Sequence, residues 1–202
     1  MRFARASTFT ITFLIVFAVA LADGCASSSG SKSQSTENGA VVTTYEDPSY
    51  AIRITYPGDW QEQSIPVLMR PKGTIIVLVA PSDVGGTRMP PTVSFVGQDI
   101  SLSPETTVEQ HLDSMQQQLI DKGTKQFGDF KLIDASPAML ANESARRVTY
   151  TGSRMGVSLK VMNVIAVHGG KQYGIAYSAD PEIFDEHRAA VEKVIASVRW
   201  MK

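Results

Sequence analysis

The chain has 202 residues, 43% of them hydrophobic and 19% charged, the balance of one globular domain with short appendages. A formal net charge of −1 and the lack of any basic run leave no electrostatic footprint for nucleic acid and no polybasic patch for anionic lipid. The single cysteine, Cys25, excludes an intramolecular disulfide.

Arg2 and Arg5 precede Phe9 to Ala22, a stretch of 14 residues without a charge. A membrane-spanning helix needs about 20 apolar residues, so this stretch is short for a span, and Asp23 and the small residues beyond it disfavour the alternative of a stretched transmembrane anchor. A positive flank, a short apolar core and small residues beyond it read as a secretory signal peptide over residues 1–24. It ends in Leu21-Ala22-Asp23-Gly24-Cys25, which resembles the lipobox of bacterial lipoproteins. Gly24 takes the small-residue position and Cys25 that of the lipid acceptor. The leucine stands four residues before Cys25 instead of three, and Asp23 replaces a small or apolar residue. The resemblance implies an exported chain held at the cell membrane or outer membrane by a palmitate-type anchor on Cys25. Ala20-Leu21-Ala22 is a competing site for ordinary signal peptidase, and cutting there leaves a soluble exported chain with a free Cys25. Residues 26–39 hold no aliphatic side chain larger than alanine. Residues 25–40 therefore read as the lipidated cysteine and a flexible tether, which at 14 residues of coil reaches roughly 20 Å.

The folded domain is expected over residues 41–202. Thr43 to Glu46 and Tyr50 to Tyr56 read as strands, the second with Ile52, Ile54 and Tyr56 on one face. Pro57-Gly58-Asp59 breaks it and lets Trp60 fold back over the core. Thr74 to Ala80 is apolar throughout, as in a strand buried on both faces, and Thr92 to Ile100 is another strand. Ser103 as N-cap, Pro104 in first position and Gly123 as C-cap predict a helix carrying Val108, Leu112, Met115 and Leu119. Strands follow at Phe130 to Asp134, Ala145 to Thr151, Val157 to His168 and Lys171 to Ser178, the last two joined by a Gly169-Gly170 hairpin. Asp180 and Pro181 open a final helix with Phe184, Val191, Val194, Ile195 and Val198 on its apolar stripe. The whole is an α+β domain, a central antiparallel sheet covered by helices.

Tyr50 to Trp60 resembles the opening signature of PsbP-like domains and related bacterial envelope lipoproteins, with Pro57 and Trp60 as its sharpest residues. The resemblance spans about residues 43–200. It implies an α/β/α sandwich and roles as photosystem accessory subunits or envelope lipoproteins, none of them a clearly established enzyme. It carries no functional residue onto this chain.

Nothing in the sequence assembles a catalytic set, a metal site or a cofactor site. His111, His168 and His187 fall on separate elements, and no H-x-x-x-H or His/carboxylate pair gives metal-ligand spacing, so they read as solvated or margin histidines. The acidic pairs Glu46-Asp47 and Asp180-Glu182 are accounted for by turn and cap chemistry. The loop Val84 to Pro91 offers a candidate binding site at Arg88 and Met89, on glycine-rich backbone. Arg146, Arg147 and Arg154 offer a small basic patch, with scattered surface charge as the plain alternative. The expected function is non-enzymatic: a lipid-anchored envelope protein that binds a protein partner. The alternative is a carrier of an apolar small ligand, soluble if the chain is cut after Ala22, which needs a cavity of several hundred Å3 between sheet and helix.

Overall fold

The structure, a computed structural model, describes residues 30–37, 39–66, 70–82 and 88–202. The signal peptide and Cys25 lie outside the described residues. Alternation builds the first layer. Ile52, Ile54 and Tyr56 of β3 (Ile52–Pro57) are buried on one face, and Tyr45 and Asp47 of β2 (Ala40–Asp47) are buried beside them. β1 (Ser31–Glu37) pairs with β2, and the short β11 (Arg199–Trp200) pairs with β3, giving a sheet of order β1-β2-β3-β11. Residues 31–37 thus form an edge strand where sequence reasoning predicts tether. All seven side chains are exposed, so the strand stands on backbone pairing, which asks nothing of side-chain polarity.

The second sheet contains β4 (Gln61–Glu62), β5 (Thr74–Val79), β6 (Thr92–Asp99), β7 (Gly128–Leu140), β8 (Glu143–Arg154), β9 (Val157–His168) and β10 (Lys171–Ala179). Its order is β4-β5-β6-β10-β9-β8-β7, and every pairing is antiparallel. β5 is buried on both faces, as its apolar run requires. Trp60 is buried in the core between the sheets.

The two helices take opposite faces of this large sheet. α1 (Val108–Gln126) lays Leu112, Met115 and Leu119 on Val148, Tyr150, Leu159, Val161 and Ile165. Burying each such side chain is worth about 1.5–3 kcal/mol, which anchors a helix of otherwise marginal stability. α2 (Phe184–Ser197) packs with the small sheet on the other face, burying Phe184, Val191, Val194 and Ile195. Its last residue is tied to β3 twice, Thr55 N donating to Ser197 Oγ at 2.9 Å and Ser197 Oγ to Thr55 O at 2.8 Å. The domain is therefore α+β, with helix, sheet and a mixed helix-and-sheet layer in sequence.

The helix ends differ from expectation in three places. Ser103 and Pro104 form a turn, Thr106 N donating to Ser103 O at 2.9 Å. Thr107 is the cap, because Gln110 completes a capping box with it. Gly123 does not end α1. It lies inside the helix because the Phe130 ring fills the space a Cβ would need, 2.3 Å away. Asp180 caps the turn before α2, its Oδ1 accepting from Glu182 N at 2.9 Å, and the helix proper starts at Phe184.

Three two-residue hairpins turn the chain through β7 to β10. Gly169 and Gly170 have φ of +54° and +74°, as the sequence implies, and Ala141-Asn142 and Met155-Gly156 adopt the same left-handed pair. Met155, at φ +52°, is 91% exposed, so its side chain gains nothing to offset the backbone cost. Met155→Asn is expected to raise stability by about 1 kcal/mol, since Asn-Gly suits this turn. Chemical denaturation with an unchanged m-value checks it.

Candidate functional site: a charged cleft beside the edge strand

α2 does not reach the outer strands of the large sheet. β7 is an edge strand, and its side-chain row with β8 and β9 leaves an open cleft of about 360 Å3 against α2. Arg147 of β8, Lys160 of β9 and Arg188 of α2 supply its cations, and Ile133 and Met139 of β7 its apolar lip. Ile133 is 50% and Met139 63% exposed.

Each cation answers a carboxylate of the helix or strand beside it. Arg147 Nη2 lies 2.9 Å from Glu192 Oε2, while Arg188 Nε lies 3.8 Å from Oε1 of the same residue. Lys160 Nζ bonds both oxygens of Asp185, at 3.1 and 2.9 Å, and sits 4.6 Å from the centre of the Phe184 ring. Asp134, on the strand side, accepts from Ser136 Oγ at 2.8 Å. Arg147 Nε is buried without a hydrogen-bond partner. Three cations and one carboxylate, Asp134, thus line the cleft beside the apolar Ile133 and Met139.

β7 itself is closed to simple strand addition. Its register slips between Gly128 and Lys131 and again between Leu132 and Asp134, and Pro137 removes a backbone donor from the row. Bulges and proline are the usual protection of an exposed edge. Side chains at the cleft, rather than free backbone, are what this edge presents.

The arginines of the β8 hairpin divide between the faces. Arg146 points to α1, where Nη2 meets Glu109 at 2.6 Å and Nε meets Asp113 at 2.7 Å. The hydrogen bond from Arg146 holds the Glu109 carboxyl below its ordinary range, helped by Ser144. A lowered carboxyl pKa favours the fold at neutral pH, and that contribution fades as pH falls through the lowered value. Arg147 points to α2, so the patch of three arginines does not form.

The loop candidates sit elsewhere. Arg88 pairs with Glu182 at 2.8 Å, and the Met89 carbonyl accepts from Asp180 N at 2.9 Å. Met89 is half-buried, and both residues fasten the entry to α2. Residues 83–87 of that loop lie outside the described residues. Glu46 bonds Arg53, and Asp47 accepts from Ser49 N and Tyr45 Oη, which is turn and core chemistry.

One histidine gains a carboxylate partner that lies far from it in sequence. His168 Nδ1 lies 3.0 Å from Glu143 Oε1, brought together by the β8–β9 register. Its ring stacks on Trp200 at 4.6 Å, and Tyr173 meets the indole from another side at the same distance. Tyr173 Oη donates to Tyr50 O at 2.5 Å; burial pushes this phenol up to about 12, with Asp99 adding to it. This cluster clamps the end of the chain to the β9–β10 hairpin. His111 Nε2 contacts Gln172 Oε1 at 2.8 Å, and His187 is half-buried at the margin of the α2 stripe, between Phe184 and Val191. Among the described residues no three metal-ligating side chains gather.

The interior between α1 and the sheet holds about 30 Å3, far below the several hundred Å3 an apolar cargo needs. The cleft has that volume, but its lining is charged. Sequence reasoning missed the cleft because Arg147, Lys160 and Arg188 lie far apart along the chain. It also passed over Asn163, the one polar residue on the inward row Val157, Leu159, Val161, Ile165, Val167, where a break in alternation was visible.

This layered α+β architecture is the PsbP-like fold. The cyanobacterial PsbP (CyanoP) of Synechocystis sp. PCC 6803 superposes with a TM-score of 0.54 at 13% identity, over 90% of this chain and 98% of that one. LpqN, described as involved in cell envelope biogenesis of Mycobacterium tuberculosis, gives 0.54 at 15% identity, over 86% and 92%. No protein-family model matches the chain, and no curated sequence does.

Proposed function

We propose that this chain is an exported, lipid-anchored accessory protein of the cell envelope, non-enzymatic, that works by binding a protein partner through the cleft between α2 and β7. The anchor is Cys25, supported by the charged-then-apolar N-terminus and by Gly24-Cys25. An envelope role is supported by the fold shared with LpqN. The cleft carries the reading. It brings Arg147, Lys160 and Arg188 beside the exposed apolar side chains Ile133 and Met139, and arginine and methionine are enriched at protein-contact surfaces. A lone polyanion would have to displace the carboxylates already paired with these cations, Glu192 on Arg147 and Arg188 and Asp185 on Lys160.

Alkyne-palmitate labelling of growing cells is combined with a photo-crosslinking residue at Met139. The wild type is expected to take up label and to form one discrete crosslink, lost when Arg188→Glu reverses a charge of the cleft. Cys25→Ser is expected to lose the label and leave the membrane fraction. A mature N-terminus at Asp23 would remove the anchor, and a crosslink indifferent to Arg188→Glu would remove the cleft.

A further inference from the structure

Beneath the C-terminal half of α1, on the face opposite the cleft, a pocket of about 30 Å3 opens between the helix and strands β6, β8, β9 and β10. Its apolar walls are Leu119 and Phe127 from the α1 side and Val96 from the sheet. Its polar groups are Asn163, Tyr150, Lys122, Gln126 and Ser94, with no acidic side chain among the lining residues.

Asn163 is only 4% exposed, and its Nδ2 completes no hydrogen bond of good geometry, with only the Tyr150 hydroxyl offering it a weak contact. A buried donor left unpaired weakens the fold, and native proteins rarely keep one without a use. Its neighbours on the same inward row, Val161 and Ile165, are apolar and pack well, so an aliphatic residue would suit this position better for stability alone. Tyr150 is buried beside it; burial pushes the phenol up to about 12 against the opposing effect of the neighbouring Asn163 amide, so the hydroxyl keeps its proton and donates at neutral pH. Lys122 is half-buried, and burial lowers its pKa. An ammonium that has lost part of its hydration gains more from an anion than an exposed one does.

We propose that this pocket binds the carboxylate group of a small organic acid, received by the Asn163 amide, the Tyr150 hydroxyl and the Lys122 ammonium. Two oxygens with several lone pairs and one negative charge answer three donors, one of them charged. The size admits the carboxylate and little more, so the rest of the acid lies at the mouth, against Leu119, Phe127 and the stem of Lys122. The site is independent of the cleft and of the envelope role.

The test is titration of the isotope-labelled full chain with acetate, propionate and benzoate, followed by backbone amide shifts, with acetamide and propylamine as matched controls. Saturable shifts are expected at Ser94, Tyr150, Asn163 and Ala176 with the acids and not with the controls. Lys122→Gln, at a half-buried helix position that leaves the core intact, is expected to bind about tenfold more weakly, the loss of one charge-assisted hydrogen bond. Asn163→Leu keeps the shape and removes the unpaired donor. It is expected to abolish the response and to raise the melting temperature by a few degrees, roughly 2–4 °C. No response at tens of millimolar acid, an equal response to acetamide, or undiminished binding in Lys122→Gln overturns the proposal. So does an Asn163→Leu protein that binds as the wild type does.

Discussion

Gly73→Ala is expected to destabilise the domain by about 3 kcal/mol, from left-handed strain of about 1–2 kcal/mol and the loss of a sheet hydrogen bond. Gly73 has φ +85°, and a Cβ there would stand 2.3 Å from the Gly97 carbonyl oxygen. That obstacle is backbone and cannot rotate away. The two residues are also bonded, Gly97 N donating to Gly73 O at 2.8 Å, where β5 enters its pairing with β6. Relief of the overlap must therefore open the sheet at a buried strand. For a domain of this size the loss corresponds to a fall of about 6–12 °C in melting temperature. Gly170→Ala separates the two causes. Gly170 has φ +74° with nothing within 4 Å of a Cβ, so it carries strain alone and is expected to cost about 1 kcal/mol. Equal losses for the two variants would show that the close approach of Gly73 to Gly97 contributes nothing.

Phe184→Ala is expected to cost about 4 kcal/mol, within the range for removing a buried phenyl ring. Phe184 is 1% exposed and opens α2. Its ring lies 4.3 Å from that of Tyr177, whose hydroxyl donates to Phe184 O at 2.8 Å. Burial, reinforced by Asp185 and Glu186, pushes that phenol well above its ordinary pKa, so the donor persists through the alkaline range. The same ring supports Lys160 in the cleft. The variant should therefore loosen the first turn of α2 as well as lower global stability, which hydrogen exchange at residues 184–188 reads directly. Lys160→Gln removes the cation but leaves the ring. It is expected to cost no more than about 1 kcal/mol, because Asp185 is largely in solvent. A Phe184→Ala protein no less stable than Lys160→Gln would mean that the ring does not anchor the helix.

These two predictions rest on different kinds of information. Phe184 was legible in the sequence as part of the stripe it forms with Val191, Val194 and Ile195, because a helix face repeats every three or four residues. Gly73 was not legible as critical. Its role depends on Gly97, which pairs across the sheet from a distant part of the chain.

What the sequence determined by itself follows the same division. Alternation in Ile52, Ile54 and Tyr56, the unbroken run through β5 and the Gly169-Gly170 turn each express a local periodicity, and each appears in the structure. Capping was legible only in part. Ser103, Thr107 and Asp180 all suit an N-cap, and only the partner Gln110 and the turn after Asp180 decide which residues begin the helices. The 31–37 edge strand was hidden because a strand held by backbone pairing leaves no mark on exposed side chains. Tertiary structure alone decided that α2 shares its layer with a second sheet, that His168 meets Glu143 and Trp200, and that Arg146 and Arg147 meet α1 and α2. It alone assembled the cleft from three separated cations and placed Asn163 over a pocket with Lys122. The physical reason is range. Periodicity is a property of neighbours along the chain, whereas a site is a coincidence of residues that only register and packing bring within a few ångströms.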